Sequence, residues 1–198
     1  MAVKRKYDAP GRREAAAQTR ERVCAAAEAH FLRDGYARTS IRAVAKAAGV
    51  AEATVYLAFP NKPALLNAVI LRAVGDNASE PLDVIAAAPP AEILPRLATS
   101  NAALMVRAGA LIALGEAASL MDTELRPWRD RAHTNLRAAF RVIAGALDAA
   151  GLLRVSAAEA ADTLYALASE STYLRRSEAA GPGDYARWLE RVLTAALT

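Results

Sequence analysis

Residues 39–59 read TSIRAVAKAAGVAEATVYLAF, and the fold is decided there. Thr39-Ser40 offers an N-cap for a short helix over residues 41–48, because a hydroxyl oxygen accepts amide N–H groups that a first helical turn leaves unpaired. Gly49 ends that helix and supplies a turn at φ > 0, which glycine adopts without a β-carbon penalty. A second short helix fits residues 52–58. Ala45 must be small where the second helix crosses the first, while Val44, Val50 and Val55 fix the angle between them. Two short helices joined by a tight glycine turn make a helix-turn-helix, whose second helix can lie in the major groove of duplex DNA.

Working outward, residues 12–33 read as a helix with Val23, Ala27 and Phe31 on one face, His30 at its edge, and Gly35 as the residue that stops it. On the other side Asn61 caps and Pro63 opens a helix that runs through Leu65, Leu66, Val69, Ile70 and Ala73 to near Gly75. The combined run is Arg20, Val23, Ala27, Phe31, Gly35-Tyr36, Thr39-Ser40-Ile41, Val44-Ala45, Ala48-Gly49-Val50, Thr54-Val55-Tyr56, Phe59, Lys62 and Leu65-Leu66. It resembles the N-terminal domain of the TetR family of bacterial transcriptional regulators over about residues 18–70.

The resemblance implies roles position by position. Thr39 and Ser40 look like phosphate contacts, and Arg42 reaches phosphate or a base edge. Ala51, Glu52, Ala53 and Thr54 look like the groove-facing set. Tyr56 and Lys62 look like the family's phosphate-contacting tyrosine and lysine. Ala51, Ala53 and Ala58 depart from the Ser or Thr, Gly, and aromatic or His that the family often carries there. Base readout is then expected to rest on Arg42, Thr54 and apolar contact with thymine methyls. The basic arm (Lys4, Arg5, Lys6, Arg12, Arg13) is expected to lie along phosphates or enter a minor groove.

Charge agrees with this division. The chain of 198 residues carries +4 overall. Residues 1–62 hold 12 Lys/Arg against 6 Asp/Glu, and the remainder 13 against 15, so +6 stands beside −2. A basic segment of this kind suits a polyanion. Cys24 stands alone, which excludes an intramolecular disulfide framework and cysteine-based zinc sites, and it reads as a small buried hydrophobe. His30 and His133 are far apart, so neither a metal site nor a cofactor is expected. Uninterrupted apolar stretches reach only about eight residues against the roughly 20 of a membrane-spanning helix. No signal peptide is visible at the N-terminus. The expectation is a soluble, cytoplasmic protein without membrane contact.

Hydrophobic residues make up 54% of the chain, aromatic residues 6%, and alanine alone supplies 51 residues. Alanine favours helix over strand, so the class is all-α, with about nine helices expected. Residues 1–17 read as the arm and the start of the first helix, 18–62 as the DNA-binding domain, and 63–198 as an effector-binding and dimerisation domain. Residues 77–90 look like a loose connector. Helices follow near 91–106, with a possible kink at Pro95, and near 108–121, 123–150, 156–177 and 184–197.

Met105, Leu111, Glu116, Trp128, His133, Tyr165 and Tyr173 are the candidates for lining a largely apolar effector cavity, with core packing as the competing role. Leu164, Leu167, Tyr185, Trp188, Leu189, Val192 and Leu193 form an apolar set on the last helices and are the candidates for a homodimer interface. A dimer would read a palindromic operator in double-stranded DNA. The expected function is a DNA-binding repressor released by a small molecule. The alternatives are a regulator of the same fold with no such effector and a small helical enzyme. No nucleophile–base pair, phosphate loop or metal cluster favours an enzyme, so no catalytic residues are assigned.

Overall fold

The computed structural model describes residues 9–75, 79–180 and 184–198. Among them are ten α-helices and one 3₁₀ turn, and no strand. The order is α1 (Ala9–Arg38), α2 (Ile41–Ala48), α3 (Glu52–Ala58), α4 (Lys62–Gly75), α5 (Leu82–Ala86), α6 (Pro90–Met121), the 3₁₀ turn (Thr123–Leu125), α7 (Arg126–Ala149), α8 (Ala157–Leu167), α9 (Glu170–Ala180) and α10 (Tyr185–Leu197). The chain divides into two compact units, Met1–Val69 and Ile70–Thr198. Of the expected basic arm, Lys4, Arg5 and Lys6 lie outside the described residues.

In the first unit α1 begins at Ala9, earlier than the sequence suggests. Pro10 does not prevent this, because a first helical turn has no intrahelical use for its N–H groups. Gly35 does more than stop α1. With φ 77° and ψ 167° it breaks the helix in a region open to glycine, after which residues 36–38 resume helical geometry. Val23, Ala27 and Phe31 of α1 are buried with Ile41, Val44, Ala45 and Ala48 of α2, Val55 of α3, Phe59, and Leu65, Leu66 and Val69 of α4. Cys24 is buried as expected of a small apolar residue.

In the second unit α6 is one helix of 32 residues, not two segments meeting at Arg107. Nothing in Val106-Arg107-Ala108 stops a helix, and Pro95 near its start removes one backbone donor without ending it. By length and mean hydropathy (1.5) α6 could cross a membrane, although its apolar runs are interrupted by polar and charged residues. Part of its apolar surface is covered by protein. Ile93, Leu94, Leu97, Ala98 and Met105 join a core with Phe140, Ile143 and Leu147 of α7, Leu164 of α8, and Leu189, Leu193 and Leu197 of α10.

The region expected to be a loose connector contains α5, whose Ile85 is fully buried in that core. The helix expected over 156–177 is broken at Ala168-Ser169. There the Ser169 hydroxyl oxygen accepts the Thr172 amide at 3.3 Å, and the buried Asn101 side chain of α6 donates to the Ala168 carbonyl at 2.9 Å. A competing cap and a side-chain donor compensate the interrupted ladder. Two similar bonds tie other backbone carbonyls to α6: Ser100 Oγ to Glu80 O at 2.9 Å and Arg107 Nε to Ala73 O at 2.6 Å.

Candidate nucleic-acid interface

The helix-turn-helix is built from helix ends. Ser40 sits in extended geometry and its Oγ accepts the Ala43 amide at 3.2 Å, so α2 starts there. Gly49 closes α2 in the left-handed region (φ 67°, ψ 38°). Val50 N–H reaches Ala45 O at 3.0 Å and Gly49 N–H reaches Lys46 O at 3.2 Å, the paired bonds of a Schellman cap. Ala51 then opens α3 with no side-chain cap. The other end of α3 is gripped from α1, where Arg20 donates to Ala58 O at 2.8 Å and its guanidinium lies 4.1 Å from the Phe59 ring centroid. Arg20 was visible in the motif, but its positioning role was not.

The expected contact residues fall into two groups. Ser40, Arg42, Ala51, Glu52, Ala53 and Tyr56 are exposed and Thr54 is half-buried. The α2–α3 turn brings Arg42 and Glu52 together, with Nε 3.8 Å from Oε1 across the two helices at 88% and 49% side-chain exposure. A pair this exposed is worth little and opens readily when either group finds a better partner. The Ser40 hydroxyl accepts within the cap and keeps its own hydrogen for an outside acceptor.

Thr39 differs from the sequence reading, and Lys62 has carbonyl partners beside the role expected of it. Thr39 is 3% exposed and its hydroxyl donates to Gly35 O at 2.8 Å, so it braces the α1–α2 corner and is not available to a phosphate. Lys62 Nζ donates to Tyr36 O at 3.0 Å and Thr39 O at 3.3 Å, and sits 4.3 Å from the Tyr36 ring centroid. Its ammonium therefore holds the same corner together and retains one N–H for an anion. His30 belongs to a local set on α1. Its Nδ1 is 3.0 Å from Asp34 Oδ2, and Arg33 with His30 holds the Asp34 carboxyl well below the usual carboxylate range.

These features coincide with a known pattern. Residues 23–69 match the tetR family of bacterial regulatory proteins. The match lies within the N-terminal unit and spans its helix-turn-helix. No curated protein matches the chain. Among solved structures, the chain is similar to NalD, the secondary repressor of the MexAB-OprM multidrug efflux pump in Pseudomonas aeruginosa. The two are 22% identical with a TM-score of 0.72, covering 93% of this chain and 98% of NalD. SmeT in complex with triclosan aligns at 21% identity and a TM-score of 0.75, covering 91% and 92%. PfiT, described as a superantigen, aligns at 18% identity and a TM-score of 0.71, covering 91% and 96%. The fold shared with these proteins thus extends over nearly the whole chain, and the name given to PfiT shows that this fold is not tied to one activity.

The residues expected around an effector separate into core and cluster. Met105, Leu111 and Tyr173 are buried packing residues. Glu116 of α6, Arg129 and His133 of α7, and Tyr165 of α8 come together instead. Glu116 lies 2.9 Å from His133 Nε2 and 3.2 Å from Arg129 Nε, and His133 Nδ1 hydrogen-bonds the Tyr165 hydroxyl. Arg137 stacks 3.8 Å from the Tyr165 ring centroid. Trp128 is about half exposed and belongs to neither group.

The expected dimer set is also divided. Leu164, Tyr185, Leu189 and Leu193 are fully buried within the one chain, so they are core residues and not an intersubunit surface. Burial also pushes the Tyr185 hydroxyl up from its ordinary pKa. Leu167, Trp188 and Val192 remain partly exposed. An amphipathic stripe on a terminal helix shows that the stripe is covered, but not by what.

Proposed function

We propose that the chain is a homodimeric transcriptional repressor that occupies a palindromic site in duplex DNA and leaves it when a small molecule binds the C-terminal unit. The observation that carries this reading is the TetR-family helix-turn-helix, with α3 gripped by Arg20 and Ser40, Arg42 and Tyr56 exposed around it. The remaining N–H of Lys62 and the hydroxyls of Ser40 and Tyr56 would meet phosphates, which set affinity and register without reading sequence. Leu167, Trp188 and Val192 are the parts of the expected interface still free to meet a second copy.

The Glu116–Arg129–His133–Tyr165 cluster is the ligand end in this reading. It joins three helices through half-buried polar groups, and such a cluster has alternative partners to offer a ligand. Glu116 follows Gly115, where the Ile70 δ-methyl occupies the place a β-carbon would take, 2.6 Å from it. With Arg107 bonded to Ala73 O, α6 therefore holds the end of α4 at two points beside the cluster. A ligand that repositions Glu116 acts directly on that seat. Its effect is bounded by its differential affinity for the two states, typically about 1–3 kcal/mol.

The test starts by selecting bound duplexes from a random pool. Compounds that raise the melting temperature are then assayed for release of the selected duplex. Glu116→Gln is expected to reduce release by such a compound about tenfold or more while DNA affinity stays unchanged. A second reading, a regulator of this fold without a small-molecule effector, is favoured by the tight packing of Met105, Leu111 and Tyr173. A screen in which no compound displaces DNA selects it.

A further inference from the structure

The recognition helix α3 reads EATVYLA and contains no Arg, Lys, Asn or Gln. Those are the side chains that pair bidentately with purine edges in the major groove. Its one charged side chain, Glu52, already faces Arg42 of α2. What α3 does present is apolar. Ala51 and Ala53 are exposed, and Leu57 is 89% exposed, the highest value among the large hydrophobic side chains of the described residues. Val55 and Phe59 fill the inward face, so Leu57 stands on the outward side with Tyr56, which is 50% exposed. A leucine left this open gains by burial, and a hydrocarbon group offered by a base-pair edge in the major groove is the thymine C5-methyl.

Resting on the DNA-binding reading above, we infer that Leu57 is the main specificity-determining residue of this protein, and that it selects its operator by packing on a thymine methyl group. Ala53 and the Thr54 methyl extend the same apolar surface along α3, while phosphate contacts from Ser40 and Tyr56 hold the helix in place without adding sequence information. The operator half-site is thereby defined by the positions of its thymines more than by guanine contacts. Arg42, once released from Glu52, is the cation next to this surface and can serve a phosphate or one guanine.

The experiment uses the full chain and a duplex selected from a random pool. Each thymine of a half-site is replaced in turn by uracil, which removes only the C5-methyl. At one position this is expected to weaken binding about five- to tenfold, since the methyl and the leucine surface are both exposed again. With Leu57→Ala the same uracil should cost little or nothing further, and Leu57→Met should restore most of the sensitivity. Leu57 is on the surface, so neither variant is expected to change the urea midpoint. Undiminished binding to fully uracil-substituted duplexes overturns the inference, as does a Leu57→Ala protein that still discriminates thymine from uracil at that position. Failure to enrich any duplex overturns the DNA-binding reading itself, which separates the two outcomes.

Discussion

The two units keep their helices in place by different means. In the unit Met1–Val69 the helices of the reading head are short and their ends are tied individually: Ser40 and Gly49 on α2, Arg20 at the end of α3, and Lys62 at the corner after Gly35. In the unit Ile70–Thr198 the long helices α6 and α7 pack through broad apolar faces, and few side chains are singled out by geometry. The first arrangement fixes the angle of a seven-residue helix that could not hold itself, because isolated helices of that length are unstable in water. The second gives a body whose stability is spread over many interchangeable methyl groups. A substitution should therefore act sharply and locally in the first unit and diffusely in the second.

That contrast can be broken in order of expected effect. Leu193→Ala, in the shared core of α6, α8 and α10, should cost about 2–5 kcal/mol, read as a lower urea midpoint. A folded, stable monomer would instead return Leu193 to an intersubunit surface. Gly35→Ala should cost of order 1–3 kcal/mol, because alanine is strained at φ 77°. The loss should appear in DNA affinity before it appears in the far-ultraviolet helix signal of the whole chain. Tyr56→Phe should weaken binding about tenfold on all sequences alike, with an unchanged salt slope because no charge is lost. A sequence-dependent effect would move Tyr56 from phosphate to base.

The smallest effect is on pH dependence. Arg96 hydrogen-bonds Glu80 and holds its carboxyl below the ordinary 4.5. The folded chain then binds fewer protons than the unfolded one in acid, so this contribution is present above about pH 4.5 and is lost as pH falls through the lowered value. Arg96→Gln should make the urea midpoint fall less steeply between pH 6 and about pH 3.5. An unchanged slope would show that this exposed pair does not couple to folding.

The sequence was legible where one residue type has one physical use. Gly49, Ser40 and Asn61 each announce a helix end, and all three act as such. The all-α class followed from alanine in the same way. The reading was incomplete where a side chain has several uses. Thr39 and Lys62 look equally fit to hold a phosphate or a backbone carbonyl, and only the corner after Gly35 shows that carbonyls have claimed the Thr39 hydroxyl and two of the three Lys62 N–H groups. Periodicity in α10 required burial but could not distinguish Leu97 or Leu164 as a partner from a second protomer. The break at Ala168-Ser169 was hidden because its compensation comes from Asn101, 67 residues away in sequence. Leu57 was overlooked because an isolated leucine is ordinary until its exposure is known.

Asn101, Ser100 and Arg107 share one habit: each reaches a backbone carbonyl, at Ala168, Glu80 and Ala73. Alanine-rich surfaces are smooth, and a helix can slide along one with little loss of contact area. These three bonds work as detents that select one setting of the slide. Because the receiving group belongs to the main chain, the side chains at positions 168 and 73 do not encode the setting, whereas Glu80 also pairs with Arg96 of α6 through its carboxylate. At Ala168 and Ala73 the alignment of α6 can thus survive substitution on the receiving side, and there it depends on Asn101 and Arg107 of α6 itself.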